Sequence, residues 1–251
     1  MSSASAWFPY RGTGNEFEVF AFPHAGAGST AFAPLREALS GSSVSLVPVV
    51  LPGRERRMRE APHQDLDALL ADFEQMAAAD GFAAFQGDYA LLGHCSGAMI
   101  AFEVARILER SPCRSPHLLI SCSCLPPQLI RDTGISRLPT PELFSRAGGT
   151  PESLLTDPNF VALLERPLRA DFVLFDAYAF RPGAKLSTPI LATRGPDDPD
   201  LSAAELQGWR EQTSGGLTTM EVGSGHWALT PEGTALLASR IPAALYAGRG
   251  A

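Results

Sequence analysis

The sequence predicts an α/β fold: a mostly parallel central sheet flanked by helices, with a helical insertion late in the chain. Three observations predict it. Short, nearly all-apolar runs alternate with helix-spaced ones, the pattern of strands buried on both faces of a parallel sheet. The stretch Leu91-Leu92-Gly93-His94-Cys95-Ser96-Gly97-Ala98 reads as strand, sharp turn and helix. Residues 125 to about 180 break the alternation with three closely spaced helix starts. At 251 residues and 45% hydrophobic, the chain supports one large core, so a single domain over residues 1–251 is expected.

Phe17 to Phe22 is a strand, apolar except for Glu18. Pro23-His24-Ala25-Gly26-Ala27-Gly28-Ser29 follows it, and such a glycine-rich loop lets backbone N–H groups approach a ligand closely. A phosphate loop is the alternative, but Gly-x₄-Gly-Lys-Ser/Thr is absent. Val44 to Val50 is a second strand, placed near an edge by Pro48. Arg54, Arg56 and Arg57 come next; they read as a solvated face or as a basic patch for an acidic partner or a phosphate. Leu66, Leu69, Leu70, Phe73 and Met76 have amphipathic-helix spacing.

Asp88 to Leu92 is the strand that enters the sharp turn, and Met99 to Leu108 is a helix apolar on nearly every face. Between them stands Gly-x-Cys-x-Gly, the nucleophile elbow with cysteine in the serine position. The positions two before and two after the tip must be small, because strand and helix pass closely there. Gly93 and Gly97 meet that need, whereas a tip at Ser96 would put bulky His94 in a small-residue position. Cys95 is therefore the predicted nucleophile, at a helix N-terminus whose dipole favours a thiolate; an ordinary buried cysteine is the plain alternative. An enzyme with such an elbow takes one oxyanion-hole N–H from the residue after the nucleophile, here Ser96, and one from a loop like 23–29, assigned to Ala25.

Leu118 to Ile120 continues the sheet. Thr140-Pro141-Glu142, Thr150-Pro151-Glu152 and Asp157-Pro158-Asn159 each read as a cap residue followed by proline at the first helical position. Phe144, Leu154, Leu155, Phe160, Leu163 and Leu164 supply apolar faces. Helices inserted after the elbow suggest a lid, or else a structural insertion. Pro189 to Thr193 resumes the sheet and leads into Asp197-Asp198, either of which can serve as the acid that orients a histidine. Trp209 falls on a helix, and Thr218 to Val222 is the last strand. Of five histidines, His226 lies in the glycine-flanked loop after it. Nucleophile, acid, histidine is the chain order of α/β-hydrolases.

Composition narrows the classes. A net charge of −7 argues against a nucleic-acid partner. No apolar run is long enough to span a membrane. Residues 1–6 carry no basic, apolar signal pattern, so a cytoplasmic setting with reduced thiols is expected. Cys122 and Cys124 lack a second pair at metal-ligand spacing, so neither a zinc site nor a cofactor is expected.

The chain resembles the type II thioesterases, stand-alone editing enzymes of polyketide and nonribosomal peptide assembly. The matching stretches are Phe22-Pro23-His24-Ala25-Gly26, Leu51-Pro52-Gly53-Arg54, Gly93-His94-Cys95-Ser96-Gly97, Gly149-Thr150-Pro151-Glu152, Arg169-Ala170-Asp171, Gly195 to Pro199 and Gly225-His226-Trp227. The resemblance implies an α/β-hydrolase core, a helical lid over about 125–180, and an acyl group on the phosphopantetheine of a carrier protein, handled by a monomer. It favours Asp198, which precedes a proline, over Asp197, and gives Arg169 and Asp171 a structural part at the end of the lid. The chain departs from the family where cysteine replaces the usual serine. An acyl-Cys95 intermediate suits hydrolysis, and it suits transfer to another carrier or to an amine; a silent carrier-binding module is a third reading, against which the intact triad order speaks.

Overall fold

The computed structural model describes residues 3–12, 16–148, 150, 153 and 155–247. Six strands form one sheet: β1 (Phe17–Phe22), β2 (Val44–Pro48), β3 (Tyr89–His94), β4 (Leu119–Cys122), β5 (Ile190–Arg194) and β6 (Leu217–Glu221). Their order is β2-β1-β3-β4-β5-β6, and every pairing is parallel. The expected mostly parallel sheet is thus present. β2 lies at an edge, as Pro48 requires, and it ends at that proline, two residues short of the predicted strand.

Both sheet faces are buried, which is why the strands read as continuous apolar runs. Successive side chains alternate between two cores. Phe20, Phe22, Leu91, Leu119 and Ile190 face α3 (Leu66–Ala79) and α4 (Ser96–Leu108). Val19, Ala21, Ala90, Leu92 and Ile120 face the other way, with Leu35 and Leu39 beside α2 (Ala33–Ala38) and Leu237, Ile241 and Leu245 of α8 (Pro231–Ala247). A short α1 (Ala4–Trp7) and α7 (Ala203–Leu206) complete the flanks, and Trp209 sits buried in a 3₁₀ turn over Gln207–Gln212. α4 is buried on nearly all sides, matching its unbroken apolar sequence. No helix among the described residues is long and apolar enough to cross a membrane.

The stretch between β4 and β5 holds α5 (Thr140–Ala147) and α6 (Pro158–Asp176). Asp157 caps α6 by accepting from the Asn159 N–H at 2.8 Å, with Pro158 in the first turn. Thr140 departs from the predicted cap. It is the first helical residue of α5, Pro139 takes the cap position, and the Thr140 hydroxyl donates to Glu165 on α6 instead. The helix start predicted at Thr150-Pro151 falls largely outside the described residues. A third apolar cluster holds the insertion together: Ala25, Ile135, Leu143, Phe144, Leu168 and Phe172, with Leu155 and Leu164 packed against it. Phe160 and Leu163 depart from the expectation that they bury; they are 45% and 42% exposed on the outer side of α6.

Candidate active site

All the candidate residues stand at C-terminal ends of parallel strands, where α/β sheets place their ligands. Cys95 follows β3 and opens α4, with φ 53° and ψ −126°, a conformation L-residues avoid. The strain is held by close packing on both sides. A Cβ on Gly93 would lie 2.3 Å from Ala98 Cα, and one on Gly97 would lie 2.3 Å from the Phe22 carbonyl oxygen. The Cys95 N–H donates to the Cys122 carbonyl at 2.8 Å, fixing the turn to β4.

The loop after β6 brings His226 to this turn. Its Nδ1 lies 3.2 Å from both carboxylate oxygens of Asp198, whose side chain is completely buried. Asp197 is exposed, and Asp198 is the one of the two aspartates that meets His226. Gly195 and Gly225 make the approach of the two loops possible: a Cβ at 195 would sit 2.0 Å from the Gly225 oxygen. Burial acts to lower the His226 pKa, but hydrogen bonds with Asp198 and with the Cys95 thiol overcome it, and the imidazole is held up to about 10. His226 therefore stands between Asp198 and the Cys95 turn with its proton affinity raised.

The loop after β1 runs alongside. The Gly26 N–H donates to Asp171 Oδ2 at 2.8 Å and the Ala27 N–H to the His24 carbonyl at 3.0 Å, leaving the Ala25 N–H without an acceptor among the described residues. Ser96, buried at the first position of α4, supplies the neighbouring N–H. A cavity of about 330 Å³ opens beside Cys95 and His226. Leu125, Ile135, Phe172, Phe175 and Leu201 give it apolar walls; Arg131, Arg146 and Asp200 bring charge to its rim.

Asp198, Asp200 and His226 could each offer a ligand atom to a metal ion, the three atoms lying within 4.8 Å of one another. Asp198 is already committed, however, to His226 and to the Asp200 N–H, which it accepts at 3.0 Å. The arrangement orients an imidazole more readily than it cages a cation.

The arginine patch is a correction. Arg54 is only 6% exposed and Arg57 2% exposed; Arg56 alone of the three reaches solvent. Arg54 forms a two-pronged ion pair with Asp171 on α6, both contacts 2.8 Å, and donates to the Ala27 carbonyl. Arg57 pairs with Glu60 and Asp72 and stacks over Trp7 at 4.8 Å. Their partners lie up to 117 residues away, which a reading of local charge could not find. Asp171 thus ties the insertion to the 23–29 loop and to Arg54, while Arg169 donates to the Ser136 and Leu138 carbonyls within the insertion. Sequence reasoning also missed the packing of His24, His94 and Trp227 around the site.

The thioesterase domain pattern matches residues 17–245. The chain belongs to the thioesterase domain family. This thioesterase is 32% identical over 213 residues to thioesterase PikA5 of Streptomyces venezuelae, covering 84% of this chain and 74% of the relative. It is 29% identical over 219 residues to the gramicidin S biosynthesis protein GrsT of Aneurinibacillus migulanus, covering 85% of this chain and 84% of the relative. Its fold superposes on the type II thioesterase BorB from the borrelidin biosynthetic cluster with a TM-score of 0.83 and 28% identity, covering 98% of this chain and 99% of that one. The sheet and its helices are those of the α/β-hydrolase fold.

Proposed function

We propose that this thioesterase hydrolyses acyl groups from phosphopantetheine thioesters on carrier proteins, editing or releasing chains in polyketide or nonribosomal peptide assembly through an acyl-Cys95 intermediate. The observation that carries the reading is His226, its Nδ1 3.2 Å from the buried Asp198 carboxylate, lining one cavity with Cys95 at the strained elbow. Similarity to proteins named for gramicidin S and borrelidin biosynthesis supports the setting; the cytoplasm, with its reduced thiols, is the matching compartment.

In this mechanism His226 takes the thiol proton, and the Cys95 sulfur attacks the thioester carbonyl. The Ala25 and Ser96 N–H groups receive the developing oxyanion. The carbon–sulfur bond to pantetheine breaks, and the leaving thiolate takes the His226 proton. Neutral imidazole then draws a proton from water as the water oxygen adds to the acyl-Cys95 carbonyl. Collapse releases the acid and returns the proton to the Cys95–His226 pair. Asp198 holds the imidazole in the tautomer and orientation both steps need.

Cysteine at position 95 favours a second reading, transfer of the acyl group to another carrier thiol or to an amine. Exchange of one thioester for another is nearly thermoneutral, so acyl-Cys95 remains open to reversal in a way an oxygen ester is not. Intact-protein mass spectrometry separates the two. The enzyme is mixed with acetyl-, butyryl- and hexanoyl-loaded carrier protein, with and without an unloaded second carrier. Rapid loss of acyl group with release of free acid supports hydrolysis. An adduct on Cys95 that drains only into the second carrier supports transfer. No adduct and no loss overturns both.

A further inference from the structure

His94 is a fully buried titratable side chain that the mechanism above does not use. It stands immediately before Cys95. His24 stands immediately before Ala25, and Trp227 immediately after His226. The three rings meet. The two Nδ1 atoms of His24 and His94 are 3.3 Å apart, with the rings perpendicular and their centroids 5.2 Å apart. Trp227 packs edge-on against His24 at 4.9 Å and tilted against His94 at 5.6 Å. Burial lowers the His24 pKa to about 4 and holds His94 well below the ordinary range. Two neutral imidazoles can share one proton between their Nδ1 atoms, one donating and one accepting.

Resting on the proposed thioester chemistry, we propose that His94 is a positioning residue. Through its hydrogen bond to His24 it sets the spacing between the two halves of the oxyanion hole, Ala25 on one loop and Ser96 on the other, and through Trp227 it keeps the His226 loop in register with both. The chain needs such a link. The elbow and the 23–29 loop touch at Gly97, where backbone meets backbone without a side chain to set direction. The opposite side of the 23–29 loop is held by Asp171 through Gly26. Among the described residues, His24–His94 is a side-chain hydrogen bond between the loop carrying Ala25 and the turn carrying Ser96. Because His94 is enclosed, it acts through its neighbours and not on substrate.

The test compares two substitutions that a packing role and a positioning role rank in opposite order. His94→Phe keeps the ring and its contact with Trp227 but removes the bond to His24. His94→Asn leaves a void but places an amide group where Nδ1 was. With hexanoyl-N-acetylcysteamine and hexanoyl-loaded carrier protein as substrates, His94→Phe is expected to lower kcat about 10- to 100-fold with KM little changed, as for a catalytic group displaced by about 1 Å. His94→Asn is expected to retain kcat within about fivefold of wild type while melting at lower temperature. Alkylation of Cys95 by iodoacetamide needs no oxyanion hole, so its rate in His94→Phe should stay close to that of wild type. His24→Leu, at a half-buried position, should lower kcat similarly and show no further loss when combined with His94→Phe. A His94→Phe enzyme as active as wild type, an Asn variant less active than the Phe variant, or additive effects of positions 24 and 94 would each overturn the proposal. A wild-type chain that turns over neither substrate would instead overturn the thioester reading on which it rests.

Discussion

Replacing Asp171 with alanine tests how the insertion is fastened to the catalytic loops. In the intact protein its carboxylate accepts three hydrogen bonds, two from Arg54 and one from the Gly26 N–H, all at 2.8 Å. Arg54 and Asp171 are both nearly enclosed, with side chains 6% and 5% exposed. Removing one member of such a pair strands the other charge in a medium that solvates it poorly, at a cost of about 3–5 kcal/mol. For a chain of this size each kcal/mol shifts Tm by about 2–4 °C, so Asp171→Ala should melt roughly 6–20 °C lower. The comparison that isolates the cause is the double variant Arg54→Met, Asp171→Leu, which removes both charges. Buried pairs replaced by apolar residues are often neutral or stabilising, so the double variant should recover much of the loss, short of about 1 kcal/mol for the Gly26 N–H left unpaired. Urea denaturation followed by circular dichroism gives both numbers. A single variant within about 1 kcal/mol of wild type, or a double variant as unstable as the single, would refute the argument that desolvated charge dominates at this joint.

Gly97→Ala should reduce kcat about 100-fold, because its Cβ would come within 2.3 Å of the Phe22 oxygen and force an ~1 Å separation of the elbow from the Ala25 loop; steady-state kinetics checks it. His226 titrates at about 10 in the fold and at about 6.5 unfolded, so between those values the folded chain binds the extra proton. Its contribution to stability is full below about 6.5 and is lost as pH rises through about 10, with a slope of up to ~1.4 kcal/mol per pH unit that His226→Gln should lack in urea titrations at pH 6, 8 and 10. Arg57→Ala should destabilise by about 1–3 kcal/mol by removing the buried donor to the Val50 carbonyl and the contact over Trp7, whereas Arg56→Ala, exposed, should stay within about 0.5 kcal/mol of wild type in the same assay.

The sheet was legible because burial on both faces leaves apolar runs, and the elbow because steric exclusion leaves glycines at fixed spacing. Position 48 placed β2 at an edge for an equally local reason, a missing N–H. What stayed hidden is what the chain closes over long distances. Arg54 and Arg57 look like surface charge until Asp171 and Asp72 arrive from elsewhere. The candidate histidine and nucleophile announced themselves through their flanking residues. The choice between Asp197 and Asp198 needed either family likeness or geometry, since nothing local distinguishes two adjacent aspartates. Phe160 and Leu163 fit a helical apolar spacing, yet the core they were expected to join is filled from the other side of α6 by Val161 and Leu164. Periodicity reports that a helix has an apolar stripe and not which neighbour covers it.

The small cluster that holds the insertion together includes Ala25, the residue proposed to offer an N–H to the reacting carbonyl. On the proposed reading, gate and machinery share a part. A Leu168 or Phe172 altered to admit a different acyl chain presses on the same packing that sets where Ala25 points, so selectivity and rate are not separable dials in this enzyme. An engineer grafting the insertion of one such thioesterase onto another would be moving half of an interface. The graft that keeps its turnover is the one that carries residues 23–29 along with it.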